Sequence, residues 1–320
     1  MRKEFFDALL QLARLDERLF LVVGDVGYSF VEPFVKEFPD RYLNVGVAEQ
    51  NMVGISAGLS LCGKIVFCYS IGNFPTIRCL EQIRNDVCYH KANVKVVSTG
   101  GGLGYGALGM THHVTEDIAV MRALPNMTVV APGDPVESAL ATRAIALISG
   151  PCYLRLTRES YPKVHDQLPG FEIGKAIRVK AGDDITLIST GGMLNTVVQV
   201  AKVLAGDGIS ARVLSMHTIK PIDSDAVSVA ARETQAIVSV EEHGPIGGLG
   251  SAVSEVLAQI YGNKAALMRI SIEDPFSKIV GSHEYLQRVH GLTVEAIHRR
   301  IKESLSKGTA SRRVSQEVIR

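Results

Sequence analysis

The sequence has no surplus of either charge, no apolar run long enough to span a bilayer, no paired-cysteine motif and no nucleophile elbow. Its 34 basic and 33 acidic residues nearly cancel, so no basic field draws the chain to nucleic acid or to an anionic membrane. No stretch reaches the roughly 18–20 apolar residues of a transmembrane helix. The opening Met1-Arg2-Lys3-Glu4-Phe5-Phe6-Asp7 scatters charge where an export signal keeps an apolar core, and a cytoplasmic protein is expected. Five cysteines (62, 68, 79, 88 and 152) include no CxxC and no even framework. They fit reduced, mostly buried thiols. Without GxSxG a serine hydrolase lacks support, and no repeat of about 20–50 residues marks a solenoid.

What is present is length and alternation. A chain of 320 residues exceeds one ordinary core, and 46% hydrophobic residues can fill two. Strand-like runs at 19–24, 65–70, 94–99, 127–131 and 152–156 alternate with helical periods at 49–62, 76–89 and 134–148, and a short helix from Thr115. The second half repeats the theme, with strands at 185–189, 211–215, 236–240 and 266–270 and helices at 194–205, 248–261 and 293–306. This is α/β patterning: two doubly wound domains with mostly parallel sheets. The segment Pro162–Gly174 mixes proline, glycine and charge and marks the boundary. Domains are therefore expected at 1–165 and 175–306, with a polar, fraying tail at 307–320.

Glu49 is the outstanding polar residue. It stands at the mouth of a helix otherwise apolar and small, with Met52, Val53, Gly54, Ile55, Ala57, Gly58 and Leu59. An isolated carboxylate there must be paired, neutralised by a raised pKa, or used; a helix N-terminal acid favoured by the macrodipole is the plain alternative. Gly104-Tyr105-Gly106-Ala107-Leu108-Gly109 fits GxGxxG after a strand, but no helix follows at once and no acid lies about 20 residues on. A nicotinamide site is thus unsupported. Gly206-Asp207-Gly208 reads as a helix C-terminal turn, and Gly247-Gly248-Leu249-Gly250 as a tight turn or subunit contact. In Thr111-His112-His113, histidine in a glycine loop is either a proton carrier or a solvated side chain; the adjacent pair does not suit one zinc ion. Arg155 and Arg158, at the end of a strand, could meet phosphate or carboxylate, or simply water. Arg78 and Arg84 read as structural ion-pair partners.

Several ordered motifs together resemble one family, transketolase. Gly46-Val47-Ala48-Glu49-Gln50-Asn51-Met52, Gly109-Met110-Thr111-His112-His113, Arg122-Ala123-Leu124-Pro125-Asn126-Met127 and Ala131-Pro132-Gly133-Asp134-Pro135 resemble its pyrimidine-binding domain. His217-Thr218-Ile219-Lys220-Pro221-Ile222-Asp223 and the turn at 247–251 resemble its C-terminal domain. The likeness covers about residues 1–305 but not the N-terminal half of a full transketolase, which carries the metal and diphosphate site. It implies the C-terminal subunit of a split transketolase, active with a separate diphosphate-binding subunit, in an α2β2 assembly. The implied cofactors are thiamine diphosphate and Mg²⁺, the metal held mainly by the partner. The implied reaction moves a two-carbon ketol unit from a ketose to an aldose.

By the same resemblance Glu49 bonds N1′ of the aminopyrimidine and favours its imino form, Phe74 stacks on that ring, and His112 contacts a substrate oxygen. Arg2, Ser29 and Arg158 fall where the family binds a sugar phosphate. Two positions depart from the pattern: Gly100 replaces a phosphate-side histidine, and Leu108 an acid that reads a sugar hydroxyl. An unusual sugar phosphate or a carrier-bound thiol is therefore also open as acceptor. Rival expectations are an acyl-transferring relative, like the β subunit of 2-oxo acid dehydrogenases or deoxyxylulose phosphate synthase, and a non-catalytic paralogue. In the synthase case the matching arginine, Arg122, would bind substrate phosphate.

Overall fold

The computed structural model describes residues 1–262, 264–273 and 276–318, with side chains to residue 306. Two sheets organise the chain, and each is parallel apart from one edge strand. The first holds β1 (Leu19–Val23), β2 (Tyr42–Asn44), β3 (Ile65–Ile71), β4 (Val94–Thr99), β5 (Thr128–Val130) and β6 (Cys152–Leu156). The second holds β7 (Ile177–Lys180), β8 (Ile185–Ser189), β9 (Ala211–Ser215), β11 (Ala236–Val240) and β12 (Ala266–Ile270). Between β9 and β11 lies β10 (Thr218–Lys220), which leaves the second half and pairs antiparallel with β5. The orders are β10-β5-β6-β4-β3-β1-β2 and β12-β11-β8-β9-β7.

Every residue of β4 and β6 is buried, as expected for parallel strands covered on both faces. Helix α1 (Arg2–Leu15) and the helix Pro135–Ala146 close one face, packing Phe5, Leu9, Ala141 and Ile145 over Leu21, Phe67 and Leu154. The other face takes Met52, Val53 and Ala57 from the helix Glu49–Leu61, with Ile83 and Val87, against Val22, Val66 and Val96. From β1 the chain passes to β2 on one side, then crosses through helix 49–61 to β3 on the other. That reversal opens a crevice at the carboxyl ends of β1 and β3, the usual ligand position in such sheets.

Three features depart from the sequence reading. The helix expected at 76–89 is broken into a 3₁₀ turn (Ile77–Cys79), a short α turn (Leu80–Gln82) and a π stretch (Ile83–Tyr89). Thr76 Oγ1 donates to the Gly72 carbonyl and Cys79 Sγ to that of Phe74. The segment is thus tied to the loop just before it, and these local side-chain bonds to the backbone compete with its helical period. At the other end, the last helix spans Val294–Val318 and runs on past the expected end at 306; no proline interrupts it. Third, β10 adds a strand from the second half to the first sheet, a pairing that local periodicity does not reveal. No helix among the described residues is long and apolar enough to cross a membrane.

Candidate active site

The crevice is shaped by glycine at two points. A Cβ on Gly24, just past β1, would lie 3.4 Å from the Glu49 Cγ and 3.3 Å from the Ser70 Oγ, so the bare backbone eases the close approach of the carboxylate. Gly72, just past β3, has φ +34° and would place a Cβ 2.2 Å from Val114 Cγ2. It turns the chain outward to Phe74.

Glu49 opens helix 49–61, where the N-terminal dipole favours an anion, and is only 2% exposed. It is not the isolated carboxylate its apolar neighbours suggest. Arg78 Nη1 donates to Glu49 Oε2 at 2.7 Å, which supplies the counter-charge a buried acid requires. The other oxygen, Oε1, accepts no bond among the described residues. The Arg78 guanidinium lies over the Phe74 ring at 4.3 Å, and the Phe74 and His112 rings meet edge to face at 5.2 Å. Burial first, then the nearby His113 and Arg78, pushes the His112 imidazole below its usual range. It is therefore neutral at neutral pH, with Nδ1 beside the Thr111 hydroxyl at 3.0 Å.

Glu49, Phe74 and His112 thus form one contiguous group. Arg2 and Arg158 meet elsewhere, lining a cavity of about 270 Å³ with Lys3, Phe30, Tyr161 and the acids Glu4 and Glu159. Ser29 does not line it; it precedes Phe30 in a left-handed turn (φ +71°), and its N–H donates to Glu32 Oε1. Tyr105 joins the two groups: its ring lies 6.2 Å from that of His112, and the Arg158 guanidinium covers it at 4.7 Å. Sequence reasoning missed Arg78 as a site residue, and Tyr105 altogether. Arg78 is 29 residues from its partner, with no periodic link to it. Tyr105 sits within a glycine pattern that drew attention to the glycines.

Other candidates are structural. Arg155 is buried, donating through Nε to Asp117 Oδ2 at 2.8 Å and through Nη2 to the Val114 and Glu242 carbonyls. Arg122 donates to the Gly247 carbonyl at 2.6 Å and to Glu255 Oε2 at 2.7 Å, bridging the two halves. Asp134, Glu137 and His165 converge closely enough for a metal ion. Yet both Asp134 oxygens and Glu137 Oε2 already accept backbone N–H bonds, and Glu137 Oε1 pairs with His165 Nε2. The cluster clasps the linker to the first domain.

Comparison with known proteins places this geometry. The chain matches the family "Transketolase, pyrimidine binding domain" over residues 1–164 and "Transketolase, C-terminal domain" over residues 174–297. The chain belongs to the transketolase family. Along its length it corresponds to the separate C-terminal subunits of split transketolases. It is 41% identical to a putative transketolase C-terminal section of Methanocaldococcus jannaschii, covering 96% of both chains. It is 39% identical to one subunit of an apulose-4-phosphate transketolase of Phocaeicola vulgatus, covering 96% of this chain and 97% of that one. A solved split-gene transketolase, described as an inactive β4 tetramer, superposes with a TM-score of 0.86 at 36% identity, covering 95% of this chain and 97% of the other.

Proposed function

We propose that this chain provides the pyrimidine side of a thiamine diphosphate site in a two-subunit transketolase that moves a two-carbon ketol unit from a ketose to an aldose phosphate. The partner is an N-terminal subunit that holds the diphosphate and Mg²⁺, in an α2β2 assembly. The single observation that carries this reading is the buried Glu49, one oxygen bonded by Arg78, whose guanidinium also covers the Phe74 ring, and the other without a bond among the described residues.

The residues present fit the aminopyrimidine. Phe74 offers a flat apolar face to a heteroaromatic ring, and Glu49 Oε1 is an unclaimed acceptor for a ring nitrogen. When bound, thiamine diphosphate supplies the carbon nucleophile that takes up the two-carbon unit and hands it on. Glu49 Oε1 holds the proton shared with the ring nitrogen, and Arg78 fixes the carboxylate in place. His112, kept neutral, bonds a substrate oxygen near the reacting carbon. Arg2 and Arg158 receive a terminal dianion in the adjoining cavity.

Arg122 supports this reading over the synthase-like one, because both of its terminal nitrogens are committed to the domain bridge. The docking face for the partner is the outer side of helix 49–61. A Cβ on Gly54 or Gly58 would meet nothing within 4 Å in this chain, and Leu61 and Val47 are exposed nearby. The test is proton exchange at C2 of thiamine diphosphate, followed by NMR in the mixture of both subunits with Mg²⁺. Glu49→Gln should abolish exchange while the assembly persists. Undiminished exchange would remove Glu49 from the chemistry.

A further inference from the structure

Tyr105 has no part in the chemistry proposed for the cleft. It is 8% exposed and wedged between the carbonyl-side and anion-side groups. Its place depends on an absence: Gly100 has φ +84°, and a Cβ there would fall 2.1 Å from Tyr105 Cε2 and 2.2 Å from Cδ2. No side chain at 100 can coexist with the ring where it now lies. The ring face then carries the Arg158 guanidinium at 4.7 Å, a cation–π contact that fixes an otherwise exposed arginine. Arg2 is close as well: burial pushes the phenol up, while Arg2 and Arg158 oppose that shift. The Tyr105 carbonyl also accepts from the Leu108 N–H at 2.8 Å, in the turn that leaves Leu108 55% exposed. At the position where the family likeness puts an acid that reads a sugar hydroxyl, Leu108 offers no polar side chain.

We propose that Tyr105 is the specificity-determining positioning residue of this site. Its ring fills the space open at Gly100 and holds Arg158, so the pocket selects its substrate by a terminal dianion, not by the hydroxyls along the chain. The inference rests on the transketolase reading for its reaction but not for its anion site. Three substitutions separate the ring's contributions. Tyr105→Phe keeps the aromatic face, Tyr105→Leu keeps bulk without it, and Gly100→His forces the ring away.

The first measurement titrates the separate chain with inorganic phosphate by NMR, with thermal melts to confirm folding. Tyr105→Phe should bind within about threefold of the parent, whereas Tyr105→Leu and Gly100→His should each weaken binding by about tenfold. The double substitution should lose no more than either single one, since both remove the same contact. In the two-subunit complex, Tyr105→Leu should raise KM for a phosphorylated aldehyde about tenfold, with kcat and the KM for glycolaldehyde unchanged. Parent-like phosphate binding by Tyr105→Leu overturns the assignment, and so do equal losses with both aldehydes. If the unmodified complex transfers no ketol unit, the transketolase reading fails, yet the phosphate titration still decides the role of Tyr105.

Discussion

Glu49 and Glu242 are buried acids beyond the carboxyl ends of strands, one serving the first sheet and one the second, and they are treated oppositely. Glu242 is saturated. It accepts from the Leu103 N–H at 2.6 Å, from Gln287 Nε2 at 2.6 Å and from His283 Nε2 at 2.9 Å, and a Cβ on Gly102 would lie 2.3 Å from its Oε1. Glu49 has one partner, Arg78, whose side chain is 45% exposed to water. The difference separates a joint from a site. A fully bonded buried carboxylate locks elements together, here the glycine loop of the first half to the second domain. A half-bonded one beside an aromatic face is available to a ligand.

The comparison breaks most visibly through stability. Glu242→Ala would leave the His283 charge and the Leu103 N–H without their buried partner, and should destabilise the protein by about 3–5 kcal/mol in denaturant unfolding. Glu49→Ala, whose partner can be rehydrated, should cost only about 1 kcal/mol. Similar losses at the two positions would erase the distinction.

pH sharpens it further. Although burial lowers His283, the Glu242 carboxylate outweighs this and, with Glu159 and Glu284, raises the imidazole to about 9. Because the folded value lies above the unfolded one, His283 contributes its full stability below about pH 6.5 and loses it as pH rises through about 9. On the acid side Glu242 is held below its usual range despite its burial, chiefly by His283; its contribution disappears as pH falls through that lowered value. Unfolding free energy should therefore decline progressively from about pH 6.5 to 9, by roughly 2–3 kcal/mol. His283→Asn should flatten that limb, and an unchanged slope would contradict the assignment.

The two acids also differ in how far the sequence announces them. Glu49 is legible because charge at the head of an apolar helix is conspicuous and the run around it is a family motif. The strands 94–99, 185–189 and 236–240 are legible because short runs rich in β-branched and apolar residues between turn signals read as buried strands. Glu242 is visible only as part of Glu241-Glu242-His243, since its partners come from positions 103, 283 and 287. Arg78 reads as a structural ion-pair partner, which it is, but its partner Glu49 lies 29 residues away on another element, so the sequence does not bring it to the site. β10 joins a sheet whose other strands all precede residue 157. What local pattern misses is what long-range pairing decides.

The smallest expected effect tests whether the anion side is separable from the carbonyl side. Arg158 lies over the face of Tyr105, apart from the ion pair of Glu49 with Arg78. Arg158→Ala removes one of two guanidiniums from the cavity and leaves the Glu49–Arg78–Phe74 group untouched. KM for phosphorylated acceptors should rise about tenfold, near 1.4 kcal/mol, with kcat and the KM for unphosphorylated aldehydes unchanged. C2 exchange, which needs no acceptor, should stay at the parent rate. A fall in exchange would mean that charge at 158 reaches the pyrimidine side, and the cleft would then act as one electrostatic unit instead of two adjoining parts.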